Sequence, residues 1–465
     1  MKRSIVWFRN DLRIHDNEAL LDALSHNDEI IPLYVEDPRL LHGKTPLGFD
    51  KMGKFRRTFL QESLTDLRKN LQELGSDLYI RQGHPESIIP EIARECKTNY
   101  IYCNRERTRE EVEVQDKLEN AMWSIGQEIR YFRGKMLYYT ADLPFPVTHC
   151  PDIFTSFRKE VEKFVNIRAP LPRPEKIVPL SIALDQGEIS STSAVNSNSQ
   201  SPSFLKGGET QALKELQYYL WDSNLVANYK ETRNSLYGRD YSSKFSAHLS
   251  KGTLSPKLIY SEIKKFEDQV TKNKSTYWLV FELFWRDFFR FMAKKHGDKI
   301  FRITGTRDVE PSQYYENKTL FDKWSSGKTG IPFIDANMRE LNATGYMSNR
   351  GRQNVASFLV KDMQLKWLWG AEYFESMLID YDPCSNYGNW NYIAGVGSDA
   401  REDRYFNIPL QAKKYDPKGE YMREWIPELK DAPLNFLFDP FSEKLDSTKF
   451  DYPQPCINFR KKAFV

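Results

Sequence analysis

The sequence has little cysteine and no long apolar run. Five cysteines are scattered over 465 residues without a C-x-x-C pair, so neither a disulfide framework nor a zinc site is expected. No stretch approaches the length of uncharged apolar sequence that a transmembrane helix needs. The first apolar run, Ile5-Val6-Trp7-Phe8, is too short for a signal peptide. We therefore expect a monomeric cytoplasmic protein that binds neither a metal nor a membrane.

Two common nucleotide-binding motifs are absent as well. No G-x-G-x-x-G follows the first predicted strand, so a dinucleotide site of the usual kind is not supported. Gly327-Lys328-Thr329 looks like the end of a P-loop, but Asp322 occupies the position of the required first glycine. A net charge of +3 is too small to indicate nucleic acid. Any evidence for a nucleic-acid partner must therefore be local.

Aromatic residues are the abundant class, at 14% of the chain with 10 Trp and 25 Tyr. They fit either a large core or a set of stacking surfaces and electron carriers, and composition does not decide between the two. The positions of the aromatic residues relative to polar motifs must decide between a core role and a functional one.

The first 133 residues alternate short apolar strands with amphipathic helices. This alternation predicts a doubly wound parallel sheet in an α/β domain, which could extend to about residue 165. Such sheets bind ligands beyond the carboxyl ends of their strands. The predicted strands cover residues 4–8, 30–35, 77–81, 100–103 and 128–132.

Residues 134–208 are predicted to be an interdomain linker. Proline, serine and asparagine are frequent at 175–205, which favours partial flexibility there. From residue 209 to residue 465 helical periodicity prevails, so we expect a larger all-α domain. Its clearest predicted helices cover residues 277–295, 332–343, 349–367 and 370–380.

A cluster of hydrogen-bond donors lies at Ser242-Ser243-Lys244-Phe245-Ser246. Three hydroxyls and one ammonium within five residues are the groups that phosphates require. A solvated serine-rich turn has the same composition, so the cluster alone leaves both interpretations open.

Residues 345–411 contain the densest set of polar and aromatic candidates. Asp380 and Asp382 fit a binding site, but Asp-Pro at 382–383 equally favours a turn that ends a helix. Trp367 and Trp390 fit electron carriers, but a tryptophan is more often a core residue. The other candidates in this region are Asn349, Arg350, Arg352, Gln353, Asn386, Tyr392 and Gln411.

Glu282, Trp285 and Arg286 share one face of a densely apolar predicted helix. Charges on such a helix are costly to bury unless they are paired or functional. A plain ion pair between Glu282 and Arg286 is the simpler alternative. Basic residues interleaved with aromatics can hold a single nucleic-acid strand, although such groups are usually only solvated. The basic residues of this region are Arg233, Arg239, Arg286, Arg290, Arg350 and Lys361.

Several long motifs resemble those of the photolyase/cryptochrome superfamily. They include 7–13 (WFRNDLR) and 281–288 (FELFWRDF), while 238–246 (GRDYSSKFS), 385–392 (SNYGNWNY) and 400–407 (AREDRYFN) are similar to the DASH branch. The resemblance covers nearly the whole chain outside the predicted flexible segment. It implies that the helical domain binds FAD and that the α/β domain carries an antenna chromophore.

The resemblance also implies individual roles at the flavin. Residues 242–246 would clamp the FAD phosphates, with Tyr229 beside them. Arg352 and Asp380 would form an ion pair against the flavin ring, Asp382 would bind its polar edge, and Asn386 would lie at N5. The remaining implied cofactor contacts are Arg286 and Asn349, and Glu110 is implied for a 5,10-methenyltetrahydrofolate antenna.

Electron transfer to the flavin would start from Trp390 and continue to Trp367. At the third position of this chain the family places tryptophan, whereas this sequence has Tyr314. Because an oxidised tyrosine must lose a proton to hold the positive charge at low energy, Tyr314 is a doubtful terminal donor.

The implied substrate is DNA that carries a cyclobutane pyrimidine dimer. Glu282 would contact the damaged bases and Trp285 would stack on one of them. Duplex-repairing relatives have Met and Trp where this chain has Gln353 and Tyr392. The weaker pocket predicts a preference for single strands, because a dimer in a duplex must first be flipped out. The other implied DNA contacts are Arg233, Arg286, Arg350 and Gln411.

The expected function is therefore blue-light-driven repair of dimers in single-stranded DNA, with RNA as a second candidate partner. A photoreceptor or signalling cryptochrome, with a partner that the sequence does not identify, is the main alternative. Few residues follow the last family motif near Leu429, which argues against a long signalling tail. A photolyase for duplex DNA is a weaker alternative.

Overall fold

We describe residues 1–190, 205–311, 314–398, 405–440 and 450–457 from a computed structural model of the chain. The N-terminal domain is built on one sheet of five parallel strands in the order β3-β2-β1-β4-β5. The predicted α/β class and the five predicted strands are confirmed. The strands are β1 (Arg3–Phe8), β2 (Glu29–Glu36), β3 (Tyr79–Gln82), β4 (Tyr100–Asn104) and β5 (Glu128–Phe132). The helices are α1 (Glu18–His26), α2 (Pro38–Leu41), α3 (Lys54–Glu73), α4 (Pro85–Glu95) and α5 (Arg109–Trp123).

Both faces of this sheet are covered by helices, which explains why β1 is an unbroken apolar run. Val6 and Phe8 pack into one apolar layer, while Ile5 and Trp7 pack into the opposite one. The strand order reverses between β1 and β4, so the carboxyl ends of these strands flank the crevice where such folds bind ligands.

The C-terminal domain is helical, as predicted, and encloses the largest apolar core of the described chain. Helices α7 and α14 each continue into a π-helical turn, at Tyr218–Asp222 and Phe358–Asp362. The helices are α7 (Glu209–Gln217), α8 (Tyr229–Thr232), α9 (Ser246–Lys251), α10 (Pro256–Gln269), α11 (Lys274–His296), α12 (Lys318–Ser325), α13 (Pro332–Thr344), α14 (Asn349–Ser357), α15 (Trp367–Met377), α16 (Pro383–Ala394), α17 (Ile408–Tyr415), α18 (Glu420–Trp425) and α19 (Leu434–Phe438), and α6 (Phe154–Phe164) precedes them.

The prediction of one helix over 349–367 and another over 370–380 is wrong in its boundaries. The chain leaves helical geometry after Asp362, and Gln364 takes a left-handed conformation with φ of 51°. Helix α15 then begins at Trp367. The apolar period continues through the break because buried side chains on both sides of it join the same core.

The segment predicted as a linker has two different parts. Its first part contains α6, whose Phe154, Phe157 and Val161 belong to the core of the helical domain. The part before residue 191 lies along the α/β domain, where the Ile177 N–H donates to the Leu74 carbonyl at 2.8 Å. The rest of the predicted flexible stretch, residues 191–204, lies outside the described residues.

Helix α11 is the centre of the helical domain and holds the predicted Glu282, Trp285 and Arg286. A capping box begins it, because the Asn273 side chain accepts the Thr276 N–H while the Thr276 hydroxyl accepts the Asn273 N–H. None of the helices within the described ranges is long and apolar enough to cross a membrane.

Candidate functional site

Lys244 lies in a buried cleft between two tyrosine rings. Its Nζ stands 3.3 Å from the ring centre of Tyr241 and donates to the Tyr346 hydroxyl at 3.1 Å. Burial lowers the pKa of the Lys244 ammonium well below its usual value. A phosphate placed here would supply the negative charge that stabilises the ammonium, so the residue fits the predicted clamp.

The other predicted phosphate contacts surround Lys244. Ser242 and Ser243 are partly exposed, and Ser246 is exposed at the first position of α9. Phe245 is buried immediately before that helix, and Tyr229 is buried at the start of α8. The hydroxyls therefore remain accessible beside a buried cation. A solvated serine-rich turn would not have a buried cation, so the arrangement favours an anion site.

Arg352 and Asp380 form the predicted ion pair, with the guanidinium 2.9 Å from the carboxylate. Arg352 also donates from Nε to the Met347 carbonyl at 2.9 Å. Burial alone would lower the pKa of Arg352, but the Asp380 carboxylate raises it above its usual value. The second oxygen of Asp380 is buried and has no hydrogen-bond partner within the described residues. An acceptor in that state fits a donor from a bound ligand.

Asp382 performs two structural tasks at once. One of its oxygens accepts the Ser385 N–H at 2.9 Å and so caps α16. The other pairs with the buried Arg290 at 2.8 Å, and Arg290 also reaches Glu106 of the α/β domain at 3.2 Å. Lys135 completes this network at 2.5 Å from Glu106.

Burial raises the pKa of Asp382, but the combined attraction of Arg290, Arg286 and Lys135, with the Ser385 N–H, holds it below its usual value. The same balance lowers the pKa of Glu106, where Lys135 and Arg290 outweigh burial. We therefore find that Asp382 is an ionised carboxylate whose partner Arg290 joins the two domains through Glu106. The predicted contact of Asp382 with the flavin stays a prediction. The sequence singled out Arg290 only as one of several basic residues.

Three further predicted cofactor residues are placed as follows. The Asn386 amide is buried on α16 and donates to the Ala371 carbonyl at 3.0 Å, which fixes its orientation. Arg286 donates to the carbonyls of Lys135 at 2.6 Å and Leu249 at 3.2 Å, so it ties α11 to neighbouring segments. Asn349 is exposed at the start of α14.

Trp390 is buried and has two ring neighbours within the described chain. Its ring centre lies 5.2 Å from that of Phe374 and 6.4 Å from that of Trp324. The ring occupies space that only glycine leaves open, because a Cβ at Gly370 would overlap it. This arrangement places Trp324 against the innermost tryptophan.

Trp367 and Tyr314 occupy separate positions. The Trp367 ring centre lies 6.4 Å from that of Tyr387, and its indole donates to the Ile303 carbonyl at 3.0 Å. Tyr314 is partly buried and, within the described residues, forms no ring contact. No ring contact joins Trp367 to Trp390 or Tyr314 within the described residues, and their roles as electron carriers stay predictions.

The predicted DNA contacts lie on α11 and on the helices around it. Glu282 forms an ion pair with Arg233, and burial raises the pKa of Glu282 more than the guanidinium lowers it. The rings of Trp285 and Tyr392 meet at 87° with centres 6.0 Å apart. Trp285 remains partly exposed, so it can accept a further stacking partner.

Two predicted DNA contacts carry unsatisfied polar atoms. The side-chain carbonyl oxygens of Gln353 and Gln411 are buried and have no hydrogen-bond partner within the part of the chain described. Arg350 is a third predicted DNA contact. Its guanidinium donates to the Asn234 side-chain oxygen at 2.8 Å and lies over the Tyr415 ring. Buried partnerless acceptors are rare in proteins and indicate a missing donor.

Glu110, the predicted antenna contact, lies at the start of α5. Its side chain is half exposed and forms an ion pair with Lys51. Its role in antenna binding stays a prediction. Among the described residues, no group of three His, Cys, Asp or Glu side chains could hold a metal ion.

Two family models match this arrangement of domains. A model of the FAD binding domain of DNA photolyase matches residues 278–464, and a DNA photolyase model matches residues 4–175. The chain belongs to the photolyase/cryptochrome family, with an α/β N-terminal domain and a helical FAD-binding domain.

Within that family the chain is similar to the cryptochrome DASH proteins. It is 47% identical to cryptochrome DASH of Gloeobacter violaceus over 99% of this chain and 94% of that protein. The crystal structure of the Synechocystis sp. PCC6803 cryptochrome has a TM-score of 0.95 and 46% identity, covering 99% of this chain and 97% of that one. An archaeal photolyase from Sulfolobus tokodaii, described with two FAD molecules, has a TM-score of 0.80 and 30% identity, covering 99% and 97%.

Proposed function

We propose that this protein uses blue light to repair cyclobutane pyrimidine dimers in single-stranded DNA. The observation that carries the proposal is the face of α11, where a partly exposed Trp285 meets Tyr392 at a right angle. Bound FAD, when reduced and excited by light, supplies the electron that splits the dimer. The residues of this face would bind and orient the damaged bases.

Each side chain has a definable task in that proposal. Trp285 offers a π surface to one pyrimidine, and base–aromatic stacking contributes roughly 1–3 kcal/mol per base. Glu282, held by Arg233, would accept or share hydrogen bonds with the polar edge of the bases. The partnerless oxygens of Gln353 and Gln411 would accept N–H groups that the protein itself does not supply.

Single-stranded DNA is the proposed substrate because the pocket lacks a second large apolar contact. Tyr392 offers less stacking area than a tryptophan would, and Gln353 is polar. A partial loss of stacking is comparable with the few kcal/mol needed to flip a dimer out of a duplex. We expect light-dependent repair of a dimer-containing single strand and weak repair of the same strand after annealing. Repair rates on the two forms of one oligonucleotide test this.

The repair assay also separates the candidate functions. Equal rates on both substrates would contradict the strand preference, and no repair on either would favour the photoreceptor function that the name of the cryptochrome relatives suggests. Glu282→Ala should lower the repair rate and leave FAD bound. The matched control is Glu262→Ala, because Glu262 pairs with Lys265 on α10, away from this face.

The second prediction concerns the cofactor, which we expect to be one FAD per chain. Replacement of Lys244 by methionine should weaken FAD binding, because it removes the buried cation proposed to face the phosphates. The FAD content of purified protein, released on denaturation, measures this. The control is Lys264→Met, since Lys264 is partly exposed and pairs with Glu267 on the same helix. Equal FAD content in both variants would exclude Lys244 from the clamp.

We further propose a 5,10-methenyltetrahydrofolate antenna in the α/β domain. Four cations gather near the carboxyl ends of β4 and β5, and none of them forms an ion pair within the described chain. Burial, together with the three guanidiniums, lowers the pKa of the Lys294 ammonium to about 8. Such a group suits the carboxylates of a folate. The cations are Arg105, Arg107, Arg133 and Lys294.

The third prediction tests this antenna proposal. Arg133→Gln should lower the content of bound folate after reconstitution, and binding to the wild-type protein should weaken as the pH rises through about 8, where Lys294 loses its charge. Folate absorption of the protein after gel filtration measures both. Loss of folate with Glu110→Gln, and none with Arg133→Gln, would place the antenna beside α5 instead.

A further inference from the structure

Phe154 lies flat against the ring that is proposed to receive the damaged base. The ring centres of Phe154 and Trp285 are 3.7 Å apart and the planes differ by 8°. This is the closest ring pair within the described chain. Phe154 is itself buried, whereas Trp285 is partly exposed. One face of the Trp285 indole is therefore covered, and a base can stack only on the other.

Helix α6, which Phe154 begins, is fastened to α11 on both sides of Trp285. Near the end of α11, Lys295 and His296 each approach the Asp152 carboxylate at 2.7 Å. Near its start, the Tyr277 hydroxyl accepts from Arg158 at 2.6 Å and donates to Glu162 at 2.7 Å. These contacts fix the position of α6 relative to Trp285.

Other rings restrict the Phe154 ring itself. It meets Phe281 at 83° with centres 5.1 Å apart, and Phe288 at 78° with centres 5.6 Å apart. A ring held by two edge contacts cannot slide away from the indole that it covers. The Trp285 ring is therefore held in one orientation before any substrate arrives.

We propose that Phe154 is a positioning residue that holds the Trp285 ring ready to stack on the damaged base. This proposal rests on the proposed function. A mobile indole would have to be ordered on binding, and that cost would reduce affinity for the lesion. Phe154 is buried behind the Trp285 ring, so its effect should appear in substrate affinity and not in the splitting step.

The test measures the affinity of Phe154→Leu for a single-stranded oligonucleotide with one thymine dimer, and for the same strand undamaged. We expect the dissociation constant for the damaged strand to rise about threefold to tenfold, the range that an aromatic pair contributes. The rate of dimer splitting at saturating substrate and the flavin photoreduction should not change. Phe154→Tyr, which keeps the stacked ring, should restore the affinity.

A matched control and a double variant separate positioning from general destabilisation. Phe157→Leu makes the same change one turn further along α6, where the side chain is fully buried and does not meet Trp285. It should lower stability and leave the affinity unchanged. In a Trp285→Ala background, Phe154→Leu should have no further effect on affinity.

Three outcomes would overturn the proposal. The first is equal affinity of Phe154→Leu and wild type for the damaged strand. The second is equal weakening by Phe154→Leu and Phe157→Leu, which would show a purely structural role. The third is a wild-type protein that does not distinguish damaged from undamaged strands, which would refute the proposed function and this inference with it.

Discussion

Replacing Trp390 with phenylalanine is expected to slow flavin photoreduction by an order of magnitude or more while FAD remains bound. Phenylalanine keeps a smaller aromatic ring beside Phe374 and Gly370, and it is far harder to oxidise than an indole. Bleaching of the flavin band under blue light, with a thiol present, measures the rate. An undiminished rate would show that electrons reach the flavin by a route that avoids Trp390.

The same assay distinguishes two routes beyond Trp390. Trp367 is the second carrier that the family resemblance implies, whereas Trp324 is the tryptophan whose ring centre lies 6.4 Å from that of Trp390. If ring contact determines the route, Trp324→Phe should slow photoreduction more than Trp367→Phe. Tyr314→Phe should have the smallest effect of these changes, since Tyr314 forms no ring contact within the described residues.

The fold could be predicted from the sequence because its elements have strong local patterns. The strands of a parallel sheet covered on both faces are apolar at successive positions, and β1 shows this directly. Helix α6 was missed because it lies in a segment where proline and charge frequencies resemble those of a linker. The break before α15 depends on one left-handed residue, Gln364, which no periodicity reveals.

Only part of the candidate site could be predicted from the sequence. The pair of Arg352 and Asp380 was expected from family motifs, and the structure forms it. The contact of Trp324 with Trp390 joins two tryptophans that are 66 residues apart in sequence. Phe154 meets Trp285 across a gap about twice as long, so neither periodicity nor spacing could identify it.

The charge network of Glu106, Arg290 and Asp382 could not be predicted from the sequence either, because its members are far apart along the chain. Glu106 lies two residues after β4, Arg290 lies on α11 and Asp382 caps α16. Only the tertiary fold therefore brings the three charges together. In the sequence Glu106 is only one of four glutamates within eight residues, with Glu110, Glu111 and Glu113. Burial, which distinguishes it from them, is a property of the folded chain.

Removal of the Arg290 guanidinium should cause the largest loss of stability among the changes considered. Arg290→Met leaves the buried Asp382 carboxylate without its ion pair and removes one of the two cations at Glu106. Breaking a buried pair by removing one partner typically costs about 3–5 kcal/mol of unfolding free energy. Denaturant unfolding of the protein measures the loss. As a control, Lys265→Met breaks an exposed pair with Glu262 and should cost about 0–1 kcal/mol.

The loss caused by Arg290→Met should depend on pH in a defined direction. In the wild type the pKa values of Asp382 and Glu106 are lowered, so their contribution is present above the usual carboxylate pKa and is lost as the pH falls below it. In the variant the cation that lowers the pKa of Asp382 most is gone, while burial still raises it. Asp382 would then take up a proton at a higher pH, which relieves the uncompensated charge. The stability difference between variant and wild type should therefore narrow from about pH 7 to about pH 5.

A double variant tests whether the orphaned charge is the cause. Asp382→Asn keeps a side chain that can cap α16 by accepting the Ser385 N–H, and it removes the charge. Added to Arg290→Met, it should recover part of the lost stability and abolish the pH dependence, because no buried carboxylate then lacks its partner at this position. If the double variant were less stable than Arg290→Met by the full cost of Asp382→Asn alone, the two residues would act independently. In that case Arg290 would stabilise the protein by packing or through its pair with Glu106, and its pair with Asp382 would contribute nothing.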